Sequence, residues 1–219
     1  MLEKRNDFLE RRNKLCNQLL DDSVVIVSSS TIKSRNSDAD YFFRQDSNFF
    51  YLSGFDEPDS LIVLRPYAKD NKFVIFCRDR DPLREQWDGF RAGPEGVVKN
   101  FGADEGFSIT LVNELMPGLL EGVSNIYYSM GSPNNINLKI DHWLNSIRLN
   151  TRAGAEAPAN LLSLDSILDE MRLLKTEEEL SLMRKAGQIT CDAHVRAIKR
   201  VKPGMYEYQL EAEYIHSFI

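Results

Sequence analysis

Val24-Val25-Ile26-Val27 is a β-branched run bounded by Asp21-Asp22-Ser23 and Ser28-Ser29-Ser30, too short for an ordinary helix and suited to a pleated strand. The same reading applies to Ser60–Leu64, Phe73–Arg78 and Asn125–Tyr128, and the aromatic run Phe49–Leu52 is predicted as a further strand. Lys69-Asp70-Asn71-Lys72 is a turn that joins two of them into a hairpin. Helical periodicity falls between the strands. Phe8, Leu9, Arg12, Leu15 and Leu19 predict an opening helix over residues 3–20. Pro94–Phe101 and Val112–Leu120 read as helices, the second interrupted at Pro117-Gly118, and Leu138, Trp143, Leu144 and Ile147 give one more apolar stripe. The alternation predicts an α/β fold, a mixed β-sheet flanked by helices.

The small residues and proline of Gly154-Ala155-Glu156-Ala157-Pro158-Ala159 read as a linker, and Ser163–Arg172 as a short helix beyond it. Thr176 followed three residues later by Glu179 is a capping box, supported by Glu177 and Glu178 at the positive end of the helix dipole. That helix is expected to reach about Arg200, with Met183, Ala186, Gly187, Thr190, Ala193 and Ala197 forming a narrow face of mostly small residues. Pro203-Gly204 breaks it, and a last helix from about Tyr206 carries Leu210, Tyr214 and Phe218 on one side. Apolar helix faces are stabilised mainly by being covered, and no cover for these two is evident before Ile219.

Composition narrows the function classes. The 219 residues are 42% hydrophobic and 27% charged, which fits a globular chain. A net charge of −6, with basic residues interleaved among acids, argues against nucleic acid as a partner. Lys199-Arg200 and Lys202 read as a solvated helix end. The charged start, Met1-Leu2-Glu3-Lys4-Arg5, does not resemble a signal peptide, and no run approaches the ~18 apolar residues of a membrane helix, so no membrane partner and a cytoplasmic location are expected. Cys16, Cys77 and Cys191 lack CxxC spacing and read as free thiols, Cys77 as a small core residue.

Few residues carry a recognisable chemical motif. His142, His194 and His216 have no ligand-spaced partners; Glu211 and Glu213 fall on other helical faces than His216, so no metal site is read from them. Ser28-Ser29-Ser30 lacks the Gly-x-Ser-x-Gly setting of a nucleophile and reads as a turn. Gly89, Gly93 and Gly96 do not make a phosphate loop, and Gly102 and Gly106 read as turns.

One long segment is more distinctive. Residues 35–55 read Arg-Asn-Ser-Asp-Ala-Asp-Tyr-Phe-Phe-Arg-Gln-Asp-Ser-Asn-Phe-Phe-Tyr-Leu-Ser-Gly-Phe and lead into Asp56-Glu57-Pro58-Asp59. Further on come Arg78-Asp79-Arg80-Asp81-Pro82, Glu85-Gln86-Trp87-Asp88-Gly89-Phe90-Arg91, Glu170-Met171-Arg172-Leu173-Leu174-Lys175-Thr176-Glu177-Glu178-Glu179-Leu180 and Lys202-Pro203-Gly204-Met205. In this order they resemble the Xaa-Pro aminopeptidases, the aminopeptidase P branch of the creatinase and prolidase superfamily, more closely than creatine amidinohydrolase or prolidase itself.

The resemblance implies an amino-terminal domain of RNase H-like type over residues 1–160. Residues 161–219 would then be a linker and the opening helices of an incomplete pita-bread metallopeptidase domain. It implies release of the residue preceding proline, peptides with proline at the second position as substrates, a homo-oligomer, and two manganese ions in the intact enzyme. The metal-ligand motifs have no counterpart in this chain, so it supplies no catalytic residue and no metal ligand, and is expected to be inactive alone. Asp38, Trp87 and Arg152 are the substrate-pocket residues implied, with Arg152 pairing Asp38. Here the loop is Arg35-Asn36-Ser37-Asp38 where the family has Arg-Ser-x-Asp, and Trp87-Asp88-Gly89 stands where Trp-Phe-Gly is common. A self-contained, non-catalytic assembly or binding module is the alternative.

Overall fold

The computed structural model describes residues 2–131 and 135–219, with side chains from residue 6 onward. Two compact units result, Met1–Asp169 and Glu170–Ile219. The first contains α1 (Leu2–Cys16), β1 (Ser23–Ser28), α2 (Ser47–Ser53), β2 (Leu61–Leu64), β3 (Phe73–Cys77), α3 (Pro82–Asp88), α4 (Gly93–Phe101), β4 (Glu105–Ser108), α5 (Val112–Leu120), β5 (Asn125–Tyr128), α6 (Ile136–Arg148) and β6 (Asn160–Ser163). Then follow α7 (Asp165–Leu173), α8 (Glu177–Arg200) and α9 (Glu207–Phe218).

The strands form one six-stranded sheet in the order β4-β3-β2-β1-β5-β6. β2 is antiparallel to both neighbours, Val63 facing Ile26 on one side and Val74 on the other. The remaining pairs, β1 with β5, β3 with β4 and β5 with β6, are parallel. All described strands except β2 therefore run the same way, and the sheet has one carboxyl edge and one amino edge.

Alternate residues build two cores. Val24, Ile26, Val63, Val74, Phe76, Ile126 and Tyr128 meet Val112, Met116 and Leu120 of α5 and Ile140, Trp143 and Ile147 of α6. Trp143 is fully buried, its Nε1–H donating to Asn113 Oδ1 at 2.9 Å. On the opposite face, α1, α2 and α4 bring Leu15, Phe49, Leu52, Phe55 and Val97 out of water. Arg12 is buried there too. Its NH1 donates to Leu52 O at 2.9 Å and its guanidinium lies 3.9 Å over the Phe73 ring. Burial pulls the Arg12 pKa down to about 10, partly offset by Asp104, so it remains a cation at neutral pH. Cys77 is a buried core residue, its thiol pushed up to about 12 by burial.

Five local expectations change. Phe49–Leu52 is not a strand but part of α2: Asp46 caps it by accepting from Asn48 N and Phe49 N at 2.9 Å, and Gly54 ends it in the left-handed region at φ 64°. Gly106 is not in a turn but in β4, a strand the sequence did not suggest, where an added Cβ would collide with Pro94 O of α4. Pro117 lies inside α5 without interrupting it. The stretch Gly154–Ala159 is followed at once by β6, which pairs with β5 from Asn160 onward, so the sheet continues past residue 160. The opening helix stops at Cys16, and the hairpin turn is present, with Asn71 at φ 54° and Arg65 N donating to Lys72 O at 2.7 Å.

In the second unit the capping box is present: Thr176 Oγ1 accepts from Glu179 N, and Glu179 Oε2 accepts from Thr176 N at 2.9 Å. α8 and α9 pack together along Ala193 and Ala197, the buried residues of α8. Arg196 Nε is 2.6 Å from Glu213 Oε2, and His194 Nδ1 is 2.9 Å from Tyr214 Oη. The small-residue face is covered only at its carboxyl end; Ala186, Gly187 and Thr190 are exposed.

Candidate functional site

The connection from β1 to β2 and the one leaving β3 lie at the carboxyl edge of the sheet, and two of the three expected pocket residues stand on them. Asp38 belongs to the loop that leaves β1. That loop is held by its own backbone: Arg35 N donates to Ala39 O at 2.8 Å and Tyr41 N to Lys33 O at 2.9 Å. Asn36 Oδ1 accepts from Asp38 N and Ala39 N at 3.0 and 2.9 Å, an Asx turn that fixes Asp38 at the tip. Asp38 is exposed, and beside it in sequence Phe42 has no cover at all.

Trp87 lies on α3, in the connection leaving β3. Asp81 caps α3 by accepting from Leu83 N and Arg84 N, Pro82 fits its first turn, and Gly89 ends it at φ 85°. Trp87 is 87% exposed, with Leu83 and Phe90 exposed nearby in the chain. A tryptophan left so open contrasts with Trp143 in the core, and its indole offers a flat apolar wall. Behind α3, Arg80 grips Glu85 through two bonds of 2.6 and 3.0 Å and lies 4.5 Å over the Phe90 ring. The Arg80 hydrogen bond holds the Glu85 carboxyl below its ordinary range and raises the guanidinium in turn. Asp79, Arg80, Phe90, Gly93, Glu95 and Lys99 are among the residues lining an open cleft of about 570 Å³.

Arg152 does not join them. It sits in a 3-10 turn, Thr151–Ala153, after α6 has run back along the sheet, and the chain next enters β6 at its amino end, where Ala159 N donates to Ser124 O. Asp38 and Arg152 therefore belong to opposite edges, and among the described residues they form no ion pair with each other. The expected Asp38–Arg152 pair is absent within one chain because α6 carries Arg152 to the amino edge.

Sequence reasoning missed two residues that organise the carboxyl edge, Gln45 and Glu57. Gln45 is buried and makes four hydrogen bonds. Glu57 accepts from Ala92 N at 2.7 Å and pairs with Arg78 at 3.7 Å. Nothing local marks them, because each lies in a run of polar residues that looks solvated. Among the described residues no group of three or more His, Cys, Asp or Glu side chains could hold a metal ion, and no helix is long and apolar enough to cross a membrane.

Comparison with known proteins places this arrangement. The sequence profile of the aminopeptidase P N-terminal domain matches residues 8–127. The Xaa-Pro aminopeptidase of Escherichia coli (strain K12) is 34% identical over 215 residues, covering 98% of this chain and 49% of that protein. Xaa-Pro aminopeptidase 3 of Homo sapiens is 31% identical over 198 residues, covering 89% of this chain and 38% of that protein. The solved structure of the Pseudomonas aeruginosa aminopeptidase PepP matches with a TM-score of 0.95 at 38% identity, over 98% of this chain and 48% of that one. Aminopeptidase P from E. coli in its low pH form gives 0.93 at 33% identity, again over 98% of this chain and 49% of that one. The chain spans about half the length of the bacterial relatives and 38% of the human one.

Proposed function

The chain belongs to the aminopeptidase P family, corresponding to its amino-terminal part, and we propose that it is the amino-terminal portion of a metal-dependent Xaa-Pro aminopeptidase. Its part is to supply substrate-pocket walls and oligomer contacts to an enzyme that releases the residue before proline. Residues 1–160, with the rest of β6 that completes their sheet, are the amino-terminal domain, and the residues after β6 the linker and opening helices of a pita-bread domain. The intact enzyme works in the cytoplasm on peptides with proline at the second position.

The observation that carries this reading is the match of nearly the whole chain, at a TM-score of 0.95, to the amino-terminal half of a solved aminopeptidase. The open indole of Trp87 at the carboxyl edge supports its use as a wall for proline or the residue after it. Asp38 serves the same mouth from the neighbouring loop. Arg152, at the other edge, meets an Asp38 only if a second copy of the chain brings one.

The two manganese ions of the intact enzyme do not fit the residues of this chain. No described His, Cys, Asp or Glu cluster converges, and the His194 ring is engaged by Tyr214. No hydrolytic step is assigned to a side chain here.

The test joins this chain to the remaining half of the E. coli relative and compares Trp87→Ala with the parent on Xaa-Pro peptides. Loss of an aromatic wall should raise KM about threefold to tenfold with little change in kcat. An unchanged KM would remove Trp87 from the pocket.

A further inference from the structure

Asp38 and Trp87 lie on separate connections, 49 residues apart in sequence, and neither segment is part of the sheet. A loop tip and a short helix at one edge need a fixed relation if they are to form one surface. We propose that Gln45 and Glu57 are the positioning residues that lock the Asp38 loop and the Trp87 segment into a single unit.

Gln45 closes the loop. Its Oε1 accepts from Ser30 N at 2.9 Å, where the loop begins, and from Asp46 N at 2.8 Å, where it ends. Its Nε2 donates to Phe55 O at 3.3 Å and Glu57 O at 2.9 Å. Two N–H groups face one end of the amide and two carbonyls the other, so a single orientation satisfies all four, and the side chain is only 5% exposed. Removing such a group leaves several buried backbone groups unpaired at once.

Glu57 continues the connection. Its backbone carbonyl holds Gln45, while its side chain reaches the other segment: Oε1 accepts from Ala92 N at 2.7 Å, just after α3, and Oε2 pairs with Arg78 NH2 at 3.7 Å, just before it. Both side chains of that ion pair are largely buried, 16% exposed for Arg78 and 14% for Glu57. The two ends of the Trp87 segment are thus tied to one carboxylate, whose own backbone is tied to the Asp38 loop. Both act through Asp38 and Trp87, as positioning residues.

The significance of the lock rests on the proposed pocket, but the lock itself is a property of this chain and is tested separately. Amide exchange is followed by NMR in the parent chain, Gln45→Met and Glu57→Gln. In Gln45→Met the amides of Arg35, Asp38, Ala39 and Tyr41 and those of Arg84, Glu85 and Gly89 should all exchange about tenfold faster, with amides of β1 and β3 unchanged. Glu57→Gln should speed the same two sets by a smaller factor, about threefold. The indole N–H resonance of Trp87, distinct from that of buried Trp143, should move in both variants. Faster exchange in only one set, in neither, or equally throughout the sheet overturns the proposal. Should Gln45→Met fail to fold, Glu57→Gln decides by the same criterion. A failed lock would leave the KM test of Trp87 untouched, and a failed KM test would leave the lock standing.

Discussion

The first unit encloses a large apolar core, and the second does not. Trp143, Phe49, Phe55, Phe76, Ile26 and Ile62 are fully buried between a sheet and helices on both its faces. In α8 and α9 the buried residues are Ala193 and Ala197, while Leu182, Ile198 and Phe218 stay exposed. Burial is the main source of stability for packed elements, so the two units are held by different forces. The sheet unit is held by its core. The helix pair depends on its cap, its Arg196–Glu213 and Arg200–Glu213 ion pairs and the His194–Tyr214 contact.

The largest effect that can break this contrast is in the core. Trp143→Ala removes the largest fully buried side chain and its hydrogen bond to Asn113 Oδ1. The first unit should lose about 3–5 kcal/mol in urea unfolding, with the α8–α9 transition unmoved. A single shared transition that shifts as one would refute the separation. A smaller effect is expected from Thr176→Ala, which removes the cap of α8 and should cost about 1 kcal/mol of helix stability, read by far-ultraviolet circular dichroism without change in the sheet core.

The smallest effect is electrostatic. The hydrogen bond from Arg196 lowers the Glu213 pKa below its ordinary carboxylate value, with Arg200 and His216 helping. A carboxyl with a depressed folded pKa contributes stability that is present above its unfolded pKa and is lost as pH falls through the folded one. Helicity of the second unit should therefore decline on acidification below about pH 4.5, and Glu213→Gln should flatten that decline. Added salt should weaken the same contribution, since the pair is near the surface.

What could be read from the sequence follows the same division between local and long-range causes. The Thr176–Glu179 box was legible because a cap is written in four consecutive residues. β1, β2, β3 and β5 were legible because continuous apolar runs have few other uses. Phe49–Leu52 misled because an aromatic run suits strand or helix, and the deciding signals were its flanks, Asp46 and Gly54. β4 and β6 were illegible: Glu105–Ser108 and Asn160–Ser163 are short and only partly apolar, and pairing with β3 and β5 makes them strands. Of the proposed site, Asp38 and Trp87 could be named from resemblance, but their shared edge came from strand order. The same strand order separates Arg152 from Asp38. Gln45 and Glu57 were invisible, because only the fold shows which polar residues are buried.

The central claim is that this chain supplies walls and contacts while the hydrolytic machinery lies in the other half of the enzyme. The most direct test is hydrolysis of an Xaa-Pro peptide in the presence of manganese, by the chain alone and by the chain joined to the remaining half of the E. coli relative. The account predicts no turnover from the chain alone and release of the first residue by the joined protein. Turnover by the chain alone, or none by a folded joined protein, would contradict it.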